Sequence, residues 1–201
     1  MHSVFQRATL AQNCKSKVES VAASPNGDRI FAGCADGSLL VFNCDLDAAA
    51  SASTVPRFHL FDTHKKWCGE KRAITCLAAI GEWGVTLSIC DGYMYVHNLA
   101  TLELITKLRS TRNCSRFCID ASRSKVCVSI KHRLLVLTWT GKELANPKEL
   151  HTPSTARSLQ WIGNHLCVGF RREYNLLSVE TGLIIKEVTD TGRKEKPLVT
   201  L

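Results

Sequence analysis

Two pairs of residues in this 201-residue chain have spacings that suggest metal ligation. Cys114-x3-Cys118 is one, and His59-x4-His64, with Cys68 just beyond, supplies the imidazoles or a third thiol of a zinc set. Zinc sites usually show two tight pairs with two to four residues between ligands. The cysteine pair is the tighter of the two, and Cys118 falls between Phe117 and Ile119 in the alternation of a strand. A structural role for these thiols is therefore expected, with no metal and no cofactor. Nucleophilic chemistry has less support. Ten cysteines and seven histidines are available, yet no spacing selects a Cys–His couple. There is no Gly-x-Ser-x-Gly elbow, no phosphate loop ending in Gly-Lys-Ser/Thr and no dinucleotide fingerprint. Gly33-Cys34-Ala35-Asp36-Gly37 is rich in glycine but lies within a hairpin pattern, where it reads as turn chemistry. The chain is expected not to be an enzyme and to have no small-molecule substrate.

Binding chemistry fits better. With 26 basic and 18 acidic side chains the formal charge is +8, which favours nucleic acid, anionic lipid headgroups or an acidic protein face. The cations come as separated doublets and triplets: Lys65-Lys66, Lys71-Arg72, Lys131-His132-Arg133, Arg171-Arg172 and Arg193-Lys194. Trp67, Trp83, Trp139 and Trp161 could stack on bases, but aromatic residues are only 7% of the chain and do not interleave with the cations. Trp139 and Trp161 fall at strand ends, which suits packing, whereas Trp83 falls in a turn and is expected to be exposed. A nucleic-acid partner is thus the distant alternative.

The elements that position these residues repeat. Residues 17–43, 72–98, 114–139 and 156–179 share one plan: an apolar strand, a polar or glycine turn, a second strand, a short polar turn and a third strand. The second turn sets the register, as Asp36-Gly37, Asp91-Gly92, Lys131-His132-Arg133 and Arg171-Arg172-Glu173, at spacings of about 55, 40 and 40 residues. Asp-Gly between strand-like runs is a strong hairpin signal, because glycine supplies the positive φ of a tight turn. LELITKL and GLIIKEV add a fourth strand to two of the units. Three or four strands per unit of this length is the period of propeller blades. The fold expected is all-β, a β-propeller with about four WD-repeat-like blades, in which Lys196-Pro197-Leu198-Val199 reads either as the first strand of a fifth blade or as a strand that completes the first blade and closes a four-bladed ring. Residues 45–71, with an Ala/Ser tract and Pro56, read as a flexible insertion between blades.

The cysteines Cys34, Cys76, Cys90, Cys118, Cys127 and Cys167 sit in or beside apolar runs, which points to reduced thiols in a cytoplasmic compartment. The N-terminus lacks a signal-peptide core, and the apolar stretch ITCLAAIGEWGVTLSIC is broken by Gly81-Glu82-Trp83-Gly84 into two strands and a turn rather than a membrane span.

Several blocks are characteristic. MHSVF, GYMYVHNLATLELITKL, LCVGFRREYNLLSVETG and TGRKEKPLV, in this order, resemble the citron homology (CNH) domain, in the version found at the N-terminus of the vacuolar protein sorting subunit thirty-nine family. That family is the Rab-binding part of the HOPS tethering complex. The resemblance implies the N-terminal part of a longer propeller followed by a helical solenoid. It also implies a non-enzymatic role in vesicle-mediated transport and in fusion of endosomes and autophagosomes with the vacuole or lysosome. The implied partners are a late-endosomal or vacuolar Rab GTPase, other tethering subunits and an anionic membrane surface, and the implied location is peripheral on that membrane. A CORVET-type early-endosomal subunit and a Rab exchange factor are the near alternatives. The partner-binding residues expected are Lys131, His132, Arg133, Arg171 and Arg172, because they occupy the same turn of consecutive blades and so the same face of the disc.

Overall fold

The structure, a computed structural model, describes residues 14–44, 58–171 and 173–190. Strands account for nearly all the regular structure. In chain order they are Val18–Ala23 (β1), Arg29–Cys34 (β2), Leu39–Cys44 (β3), Phe58–His64 (β4), Ile74–Ile80 (β5), Val85–Cys90 (β6), Tyr93–Asn98 (β7), Leu104–Leu108 (β8), Cys114–Asp120 (β9), Lys125–Ile130 (β10), Arg133–Trp139 (β11), Leu144–His151 (β12), Ser158–Ile162 (β13), His165–Gly169 (β14), Glu173–Ser178 (β15) and Ile184–Asp190 (β16). They pair as four antiparallel sheets of four, each in the order first to fourth, which is the meander of a propeller blade. The fold is all-β and the sheets are propeller blades. Among the described residues, no helix is long and apolar enough to cross a membrane.

Two compact units divide the chain, residues 1–107 and 108–201. In the first, β1 lies beside β5, where the Ser20 hydroxyl donates to the Ile74 carbonyl at 2.6 Å. Phe31, Leu39 and Val41 of the first sheet share a core with Ile74, Cys90 and Tyr95 of the second. All six residues of β6 (VTLSIC) are buried, as expected of a middle strand covered on both faces. The connection from β4 to β5 is folded onto the Asp36-Gly37 turn. Trp67 N–H donates to the Gly37 carbonyl at 3.0 Å, and the Trp67 indole N–H donates to the Leu102 carbonyl at 2.9 Å. The indole stacks on His97 of β7, with centroids 3.8 Å apart and planes 17° from parallel. His97 is fully buried, its Nε2 lies 3.4 Å from the Trp67 carbonyl oxygen, and Nδ1 has no hydrogen-bond partner among the described residues. Burial pushes the imidazole pKa down to about 4, so the ring is neutral at physiological pH.

In the second unit β9 and β13 are neighbours, and the core joins Cys118, Cys127, Leu134, Val136 and Leu150 of the third sheet to Leu159, Leu166, Val168 and Leu177 of the fourth. The half-buried Trp161 donates its indole N–H to the Cys118 carbonyl at 3.4 Å.

The four three-stranded repeats and the fourth strands β8 and β16 stand where the sequence puts them, and ITCLAAIGEWGVTLSIC is β5, a turn and β6. Two outer strands are additional. Within 45–71, residues 58–64 are β4, paired along β3, while 45–57 lie outside the described residues. The second is β12 (LANPKELH), in which proline would break an interior strand. It survives because β12 is an edge strand that bulges at Asn146-Pro147. Thr138 faces Ala145 and Val136 faces Lys148, so two residues oppose Leu137, and Asn146 takes φ +52°. The fifth-blade strand expected near 196–201 lies outside the described residues.

The metal-ligand candidates are split between elements. His59 and His64 are on β4, and Cys114 and Cys118 are buried on β9 with Cys118 facing Cys127 across the ladder. Among the described residues, no group of three or more His, Cys, Asp or Glu stands together as a ligand set. Trp83 is half-buried rather than exposed, and Trp67 and Trp139 are buried.

Candidate docking turns of the third and fourth sheets

The turn between second and third strands has a common build. In β6–β7 and β10–β11 two residues close the hairpin, with Cys90 facing Tyr93 and Ile130 facing Arg133. The first turn residue is left-handed in both, at φ +51° for Asp91 and +49° for Lys131. Aspartate tolerates that conformation better than most residues, whereas lysine is held there against its preference. Lys131 is exposed.

The neighbouring groups separate the expected residues by role. His132 is exposed but tied down: its carbonyl accepts from Thr152 N–H at 2.9 Å, and its Nδ1 lies 3.3 Å from the Pro153 carbonyl oxygen. Arg133 donates from Nη1 to Glu149 Oε1 at 2.7 Å, so its charge is matched across β11–β12. Arg171 is exposed on the β14–β15 turn, which Phe170 N–H closes by donating to the Glu173 carbonyl at 2.8 Å. The nearby carboxylate is engaged elsewhere, as Glu173 Oε1 accepts from Asn175 at 3.2 Å. Arg172 lies outside the described residues.

Arg157 is an addition that the doublet pattern concealed. It directly precedes β13, it is exposed, and its N–H donates to the Gly169 carbonyl at 2.7 Å, which puts it beside the Arg171 turn. A lone arginine before a strand carries no charge-run signal; its pairing with β14 reveals it.

The same turns in the first unit are self-neutralised. Arg72 Nε lies 3.8 Å from Asp91 Oδ1. Asp36 accepts from the Ser38 hydroxyl at 2.6 Å and from Ser38 N–H at 3.0 Å, and these bonds hold its carboxyl below the usual pKa range. Among the described residues of the second unit, no acidic side chain pairs with Lys131, Arg157 or Arg171. Three cations with no acidic partner among the described residues can steer and hold an acidic surface.

Comparison with known proteins adds an independent line. A family description, CNH domain, matches residues 26–199. The chain is similar to Vacuolar sorting protein 39 of Arabidopsis thaliana, 25% identical over 99% of this chain and 20% of that protein. It is similar to the Vam6/Vps39-like protein of Homo sapiens, 24% identical over 99% of this chain and 24% of that one. A Drosophila melanogaster relative named Vacuolar protein sorting-associated protein 39 homolog is 23% identical over 87% of this chain and 20% of its own length. The chain thus spans about a fifth to a quarter of the length of these curated relatives. Among solved structures, a chain of the Mitotic Checkpoint Complex superposes with TM-score 0.64 at 15% identity, covering 90% of this chain and 55% of that one. The computationally designed Ika4 protein gives 0.58 at 16% identity, covering 82% and 92%. At such identities the likeness bears on the fold alone.

Proposed function

The chain belongs to the CNH domain family, and from that premise we propose that it is a non-enzymatic docking module of a HOPS-type membrane-tethering subunit. It acts in vesicle-mediated transport and in fusion of endosomes and autophagosomes with the vacuole or lysosome. It does so by binding a late-endosomal or vacuolar Rab GTPase and other subunits of the tether, from the cytoplasmic side of the membrane. One observation carries this reading: relatives named Vacuolar sorting protein 39 and Vam6/Vps39-like protein align along 99% of the chain. The exposed cations Lys131, Arg157 and Arg171, which have no acidic partner among the described residues, support a docking role for the turn edge of the second unit, against an acidic GTPase surface or anionic headgroups.

Charge reversal tests it. The chain carrying Lys131→Glu, Arg157→Glu and Arg171→Glu should keep its melting temperature, because these are exposed surface positions. It should lose roughly tenfold or more in affinity for a GTP-loaded late-endosomal Rab on the surface of anionic vesicles, and the residual binding should depend less on salt. Unchanged binding by a folded variant removes these turns from the interface.

A further inference from the structure

We propose that a second site, the cleft between the third and fourth sheets, binds an acidic peptide segment of a partner protein with one apolar side chain seated against Trp161. This cleft lies at the opposite strand ends from Lys131 and Arg171, beside the turns that follow β9, β13 and β15, and it does not rest on the GTPase reading.

Its volume is about 420 Å³, within the range of ligand pockets and too small to admit a folded domain. The floor is apolar: Val136 and Val179 are only 4% and 7% exposed, and the Trp161 ring is fixed by its hydrogen bond to the Cys118 carbonyl. Around that floor stand Arg123, Lys125 and Lys148, against one lining carboxylate, Glu180. Lys148 donates to the Glu180 backbone carbonyl at 2.6 Å, which anchors the ammonium across the two sheets without neutralising it. Arg123 Nη1 lies 3.4 Å from Asp120 Oδ2, whereas no acidic side chain among the described residues pairs with Lys125. The β12 bulge brings Asn146 into the lining, where it and Asn164 offer amide donors and acceptors to a peptide backbone. A second recess of about 360 Å³ shares Arg123 and Trp161 and adds the Asp120 carboxylate that pairs with Arg123, so the indole stands between two openings along which an extended chain can run, lined in all by three cations and two carboxylates.

An apolar anchor point inside a polar, cationic rim is the anatomy of peptide recognition. A bilayer surface meets protruding side chains, whereas here the aromatic group is recessed, which favours a linear peptide over a membrane. The excess of cations over carboxylates favours an acidic one.

The test is selection of a displayed random 12-residue peptide library on the intact chain, followed by fluorescence anisotropy of the enriched peptides. Enriched sequences should carry several Asp or Glu around a Leu, Phe or Trp. They should bind roughly tenfold more weakly to Lys125→Glu and to Trp161→Ala, and unchanged to Lys131→Glu/Arg171→Glu. Lys125→Gln, which removes the charge but keeps a polar side chain, gives the same comparison should the glutamate variant fail to fold. The proposal is overturned if no acidic sequences are enriched, or if those enriched bind the Lys125 variants as tightly as the parent chain. Binding of single-stranded oligonucleotide or anionic vesicles through Lys125 and Trp161, in the absence of peptide binding, also overturns it.

Discussion

Gly37→Ala is expected to cost the first unit about 3 kcal/mol or more. Gly37 has φ +81°, and a methyl group there runs into the Glu70 carbonyl oxygen and comes within 3.0 Å of the Arg72 carbonyl oxygen and 3.1 Å of its nitrogen. These are backbone atoms, so no rotamer change relieves the clash. The connection carrying Trp67 would have to lift, breaking the Trp67 N–H to Gly37 bond and loosening the stack on His97. Gly27 is the built-in control. It has φ +71° with nothing within 4 Å of an added methyl, so Gly27→Ala meets only the left-handed penalty of about 1–2 kcal/mol. Urea unfolding of both variants should show a clearly lower midpoint for Gly37→Ala than for Gly27→Ala, at similar slope. Equal midpoints would mean that the turn and the Trp67 connection are not packed as described.

Acid should destabilise the same unit through His97. Its pKa is depressed to about 4 in the folded state against 6.5 for the free side chain. The unfolded chain therefore binds a proton that the folded chain refuses. Stability attributable to this residue is intact above pH 6.5 and falls as pH drops from 6.5 toward 4, at up to about 1.4 kcal/mol per pH unit. Over that window the loss approaches about 3 kcal/mol, a large fraction of the stability of a typical domain. His97→Phe keeps an aromatic ring against Trp67 and removes the titration, so its unfolding free energy should be flatter between pH 7 and pH 4.5 than that of the parent. Parallel curves for the two chains would place the acid sensitivity elsewhere.

The inner three strands of every sheet were legible because both faces of the middle strands are covered. Runs such as VTLSIC and KVCVSI carry the apolar signal between short polar turns. The outer strands were legible only where they stayed apolar, as in β8 and β16. β4 (FHLFDTH) shows most of its residues to solvent, and β12 holds Asn146 and Pro147 in a bulge, so periodicity had little to register. The candidate docking turns divide in the same way. Lys131 and Arg171 were visible as exposed charges in hairpin turns. That Glu149 matches Arg133, sixteen residues away, or that Arg157 joins Arg171, follows from strand register and cannot be read from spacing along the chain. The stack of Trp67 on His97 is likewise a pairing of residues 30 apart, created by the connection folding back over the turn.

The claim that this chain is a docking module for a GTPase is tested most directly by titrating it with a late-endosomal or vacuolar Rab, loaded in turn with a non-hydrolysable GTP analogue and with GDP. The account predicts saturable binding at least tenfold tighter to the GTP-analogue form, weakened by the triple reversal of Lys131, Arg157 and Arg171, with no acceleration of nucleotide release. Equal affinity for the two forms, or release of bound GDP stimulated by the chain, would contradict it.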